Sequence, residues 1–140
     1  VPLDIGRGEI LREGTDGVVF ACGLMVQAAL AAAATLAAEG TSLAVVNLPT
    51  LKPLDEELVC ALGRRCGVVV TAENHTIIGG LGSAVAETLL EAGVHVGFAR
   101  VGIRDTFAEG GSTPYLLRKY GLTAEAVIAG FRRAQRSRNK

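Results

Sequence analysis

Glu73, Asn74 and His75 stand side by side at the end of the apolar run 68–72, and Gly79, Gly80, Gly82 and Ser83 follow within a few positions. A carboxylate, an amide and an imidazole together supply what acid–base chemistry or phosphate contact needs near neutral pH. Glycines ahead of a helix let its free N–H groups approach an anion or a neighbouring backbone. Three sharper readings fail on spacing. The run from Gly80 to Val85 begins like G-x-G-x-x-G, but Val85 takes the place of the third glycine and a polar loop separates it from the strand, so the dinucleotide fingerprint fails. A metal site would need further ligands at fixed intervals, and the only other histidine, His95, begins a separate segment. Ser83 has no G-x-S-x-G elbow and no triad partners arranged around it. Backbone packing is therefore the first reading of residues 79–83, with anion binding the second.

A second polar cluster, Arg104, Asp105 and Glu109, follows the next strand. Arg100 and Arg104 are candidates for a substrate phosphate, although ion pairs with Asp105 or Glu109 are the commoner use of such residues.

The elements that must position these groups are legible from pattern. Glu9–Arg12 is a short strand candidate, and Gly14-Thr-Asp-Gly17 supplies turn residues before the apolar run 18–22, which predicts two antiparallel strands. Gly23 opens a helix in which Met25, Ala29, Ala32 and Leu36 form one stripe, and Gly40 ends it. Leu43–Val46 is a buried strand, and Asp55 is an N-cap with Leu54 and Val59 as a hydrophobic staple, which starts a helix running to about Leu62. Val68–Ala72 is the next strand. Leu81, Val85 and Leu89 share one helix face while Glu87 and Glu91 point away, and Gly93 closes that helix. Val94–Val101 is a last strand, Pro114–Tyr120 a short helix, and Thr123 caps a final one with Leu122 and Val127 as its staple. Strands separated by helices imply parallel pairing, so the expected fold class is α/β: a three-layer α/β/α sandwich with a five-stranded, mostly parallel sheet and one antiparallel strand.

The 140 residues suffice for one core, so residues 1–140 are expected to form a single domain. Fourteen basic and fourteen acidic residues balance, which removes any global attraction to nucleic acid or an anionic membrane. The arginines at 132, 133, 136 and 138 read as a solvated helix end. Cys22, Cys60 and Cys66 include no C-x-x-C pair and fit reduced thiols in a cytoplasmic protein. No apolar stretch approaches the roughly 18 residues that a membrane-spanning helix requires. The chain begins Val1-Pro2 with no signal-peptide pattern, so either a start methionine was removed or upstream protein is missing.

Five segments in order, Glu9-Ile-Leu-Arg-Glu-Gly14, Gly23-Leu-Met-Val26, Leu48-Pro-Thr-Leu-Lys-Pro-Leu-Asp55, Glu73-Asn-His-Thr-Ile-Ile-Gly-Gly-Leu-Gly-Ser83 and Gly102-Ile-Arg-Asp-Thr-Phe107, resemble the C-terminal domain of transketolases over nearly the whole chain. Similar domains end 1-deoxy-xylulose-5-phosphate synthases and the beta subunits of 2-oxoacid dehydrogenases. The loop at 73–75 and the segment at 51–55 are most similar to the split type of transketolase. The resemblance implies an enzyme that uses thiamine diphosphate and magnesium to move a two-carbon ketol unit between sugar phosphates. It also implies that the cofactor is held by other domains or a partner subunit. Gly14-Thr-Asp-Gly17 is not the family's G-D-G motif, because a threonine precedes its Asp-Gly and no suitably spaced Asn follows. The resemblance therefore assigns no catalytic, cofactor or metal residue to this chain, and it implies domain packing and homodimer assembly as its task. Residues 73–75 with Gly79, Gly80, Gly82 and Ser83 become candidates for a loop facing another domain or subunit. A non-enzymatic module that takes an anion at the 79–83 helix start is the alternative.

Overall fold

A computed structural model describes residues 7–23, 25–49, 54–73, 80–102 and 113–138, with side chains in the last segment from residue 124 onward. The chain runs β1(Glu9–Arg12), β2(Gly17–Ala21), α1(Met25–Ala38), β3(Leu43–Asn47), α2(Glu56–Cys66), β4(Val68–Glu73), α3(Leu81–Glu91), β5(Gly97–Gly102), α4(Thr113–Arg138). The strands form one sheet in the order β1-β3-β2-β4-β5, parallel except for β1.

Central strands are apolar at every position because helices cover both faces, and alternation then decides which core each side chain joins. Val19, Ala21, Val45, Val70 and Ala72 pack beneath α1 and α4, while Val18, Phe20, Ala44, Val46 and Val69 pack beneath α2 and α3. The expected stripe of α1 is buried, and its alanines at 28, 29, 32 and 33 bring that helix close to the sheet. Leu81, Val85 and Leu89 are likewise the buried face of α3. Asp55 caps α2 as expected, accepting from Leu58 N at 3.2 Å, and its other oxygen accepts from Gly8 N at 2.8 Å. The three-layer sandwich stands as the sequence predicts it.

Four expectations are corrected. The first two strands do not pair: β1 lies antiparallel to β3, with Glu9 opposite Asn47 and Ile10 opposite Val46. The expected turn instead binds the start of β3, where Asp16 N donates to Ser42 O at 2.8 Å and Ser42 N donates to Asp16 Oδ2 at 2.7 Å. Gly14 makes that crossing possible, since a Cβ there would run into the Ala44 backbone nitrogen. The last two helices are one, α4, unbroken through Gly121 and Thr123. Neither residue removes a backbone donor as proline does, and a helical glycine costs only about 1 kcal/mol. Finally, β5 begins at Gly97 rather than Val94, because pairing starts where Gly97 meets Val68 and donates to Gly67 O at 2.9 Å. α2 also runs on to Cys66, closed by Gly67 at a φ of 73°.

Candidate functional site at the carboxyl edge of the sheet

The two central neighbours β2 and β4 run parallel, yet the chain leaves β2 toward the α1 face and β4 toward the α3 face. Such a reversal opens a crevice at the carboxyl ends of the strands, where ligands of open α/β sheets usually bind. Glu73 ends β4 there and is 4% exposed. Its Oε2 accepts from Gly82 N, in the first turn of α3, at 2.9 Å. Gly80 is the N-cap, at a φ of 83°, and makes no side-chain cap bond; a Cβ on it would press on Glu73 Oε1. The α3 N-terminus thus receives its negative charge from the preceding strand, and the glycines let the carboxylate in.

Arg100 of β5 stands opposite Thr71 of β4, and its aliphatic stem crosses Gly82, where any Cβ would collide with it. The buried Thr71 hydroxyl lies at 3.1 Å from that same position. Cys22, just past β2, donates its backbone N–H to Ala72 O at 3.3 Å. Burial pushes the Cys22 thiol up, and the negative charge of Glu73 adds to the effect. Burial likewise raises Cys66, against a smaller opposing influence of Arg65.

The structure therefore brings Glu73, Gly80, Gly82 and Arg100 together, with Ser83 half-buried one position beyond Gly82. Asn74, His75, Gly79 and Arg104 lie outside the described residues. Sequence reasoning did not place Cys22 or Thr71 here. The available signal was their position at the ends of apolar strands, which becomes informative only once β2 and β4 are known to be neighbours. Among the described residues no group of three or more His, Cys, Asp or Glu could hold a metal ion, and no helix is long and apolar enough to cross a membrane.

A raised thiol pKa leaves less thiolate at a given pH, and the thiolate is what alkylates. Cys22 and Cys66 should therefore react with iodoacetamide at pH 8.5 more slowly in the native protein than after unfolding. Glu73→Gln should speed Cys22 alone. Peptide mapping by mass spectrometry reads each site, and equal native and unfolded rates would contradict the assignment.

Beyond the crevice, large apolar side chains are exposed on β1 and α3. Ile10 and Leu11 are 38% and 39% exposed on β1, and Leu90 is 78% exposed on α3. Leu90 borders a groove of about 210 Å³ with Ala86, Val94, His95, Val96 and Phe98.

Residues 6–127 match the family described as transketolase, C-terminal domain. This chain belongs to that family. Relatives of this transketolase C-terminal domain include a 1-deoxy-D-xylulose-5-phosphate synthase from Syntrophotalea carbinolica, 48% identical over 130 residues, which are 93% of this chain and 20% of that protein. A 6-deoxy-6-sulfo-D-fructose transketolase subunit from a Clostridium species is 49% identical over 89% of this chain and 38% of its own length. Among solved structures, a split-gene transketolase, described as an inactive beta4 tetramer, superposes with a TM-score of 0.81 at 48% identity, covering 96% of this chain and 44% of that one. The chain thus spans between a fifth and about two fifths of these curated relatives' length.

Proposed function

We propose that this chain is the C-terminal part of a thiamine diphosphate-dependent transketolase, serving domain packing and dimer assembly and inactive by itself. The observation that carries this reading is the α3 start. Its Gly82 amide already donates to a buried carboxylate, so a diphosphate or sugar phosphate placed there would meet like charge from Glu73. The described residues do not fit thiamine diphosphate. In the full enzyme the cofactor and magnesium are held by thiamine-binding domains or a partner subunit, which also receives the sugar phosphates.

Exposed Leu90, Ile10 and Leu11 at the outer elements support an assembly role, since apolar surface of this kind marks contact with other protein. The solved relative is described as inactive in its beta4 form, which agrees with a component that needs another subunit. A second assignment, the C-terminal domain of a 1-deoxy-xylulose-5-phosphate synthase, is supported by relatives of that name that match equally well. We propose a cytoplasmic setting for this component.

Mixing this chain with the thiamine-binding region of its enzyme should restore ketol transfer between sugar phosphates, while the chain alone shows none. Formation of 1-deoxy-xylulose 5-phosphate instead would select the synthase. Within the same assay, His75→Ala should weaken assembly as read by sedimentation, with ketol transfer falling in parallel. Unchanged assembly and activity would remove the 73–83 loop from the docking surface, and sugar phosphate binding by the chain alone would favour the anion-binding module.

A further inference from the structure

At the opposite, amino edge of the sheet, Thr15, Asp16, Cys66, Val68, Gln135 and Arg138 border an open cavity of about 200 Å³. One oxygen of Asp16 accepts from Ser42 N, and its other oxygen makes no bond among the described residues. The Arg138 guanidinium lies against Gly67 and joins neither of the two ion pairs among the described residues, Arg65–Glu13 and Arg132–Glu39. A negative and a positive group therefore border one small space without being joined to each other. Val68 and Cys66 supply its apolar part, with the Cys66 thiol directed at Gly14 O, 3.7 Å away.

Ligands of a single charge sit poorly here. An anion drawn to Arg138 meets Asp16 and the carboxyl end of α2, whose dipole is negative there. A cation drawn to Asp16 meets Arg138. A molecule carrying both charges finds an opposite partner for each. We propose that this cavity binds a small zwitterion of the α-amino acid class. The ammonium faces Asp16 and the α2 carbonyl end, the carboxylate faces Arg138 and the Gln135 amide, and a short side chain rests on Val68 and Cys66. Arginine suits the carboxylate because its planar fork can donate two parallel N–H bonds. At roughly 30 Å³ per water the space holds about seven waters, enough for a solute the size of alanine. The site lies across the sheet from Glu73, so it stands or falls independently of the proposed assembly role.

Titration of the chain with L-alanine, followed by the amide resonances of Thr15, Gly67 and Val68, tests this directly. Propionate and ethylammonium serve as single-charge controls. Saturable shifts are expected with alanine, and each control should bind about tenfold more weakly or worse, as the loss of a charge-assisted bond predicts. Arg138→Gln and Asp16→Asn should weaken alanine by a similar factor. Asparagine keeps an acceptor for Ser42 N, and an unchanged spectrum elsewhere reports an intact fold. The proposal is overturned if alanine gives no saturable shift, if propionate matches it, or if both variants bind as the parent does.

Discussion

Phe131→Ala is expected to lower the unfolding free energy by about 3–4 kcal/mol, the usual cost of deleting a buried aromatic ring. Phe131 is 1% exposed on α4 and belongs to the core shared with α1 and the sheet. Its ring abuts Gly17, where a Cβ would stand 2.5 Å from a ring carbon, so Gly17 offers no side chain to fill the space it leaves. Urea unfolding gives the magnitude, and in a domain of this size the melting temperature should fall by roughly 10 °C or more. A double-mutant cycle makes the test specific. Gly17→Ala should destabilise the parent by overpacking yet be tolerated, or even help, once Phe131 is alanine. Additive effects would show that the ring and the glycine do not share one space.

Glu73→Leu should cost about 3 kcal/mol, because the Gly82 N–H would be left buried without an acceptor and the α3 N-terminus would lose its compensating charge. Glu73→Gln keeps an acceptor and gives up only the charge, so a loss of about 1 kcal/mol is expected. Hydrogen exchange locates the effect: Leu should open amides at the start of α3 well before those of α1. Similar small losses for both variants would mean that the carboxylate does not hold the helix start. Because this bond ties the end of β4 to α3 across the 74–79 segment, Glu73→Leu should also abolish reconstituted activity if that segment docks on a partner.

Much of this architecture is written in local pattern. The unbroken apolar runs of β2 and β4, the alanine stripe of α1, the Asp55 cap and the Leu81, Val85, Leu89 face each follow from a short apolar stretch, from periodicity or from one side chain satisfying nearby amides. The first two strands depart from local pattern because a distant partner outweighs a local signal. Gly14-Thr-Asp-Gly17 has hairpin composition, but its polar groups find Ser42, and β3 enters between the strands that the turn was expected to join. Gly121 and Thr123 look like a helix break, yet the continuous α4 runs through both.

The candidate site divides in the same way. Sequence alone determined that Glu73 stands at the end of a buried strand before a glycine-rich helix start, and five ordered segments pointed to the family that residues 6–127 then matched. Only the tertiary structure decided what the glycines are for. They admit the Glu73 carboxylate to Gly82 and the Arg100 stem across it, a contact between β4, α3 and β5 that no spacing rule records. It also decided that Cys22 shares this crevice and that Asp16 and Arg138, 122 positions apart in sequence, border one cavity. The physical reason is range: periodicity and capping act within a few residues, whereas strand order and sheet edges are set by burial of both faces at once.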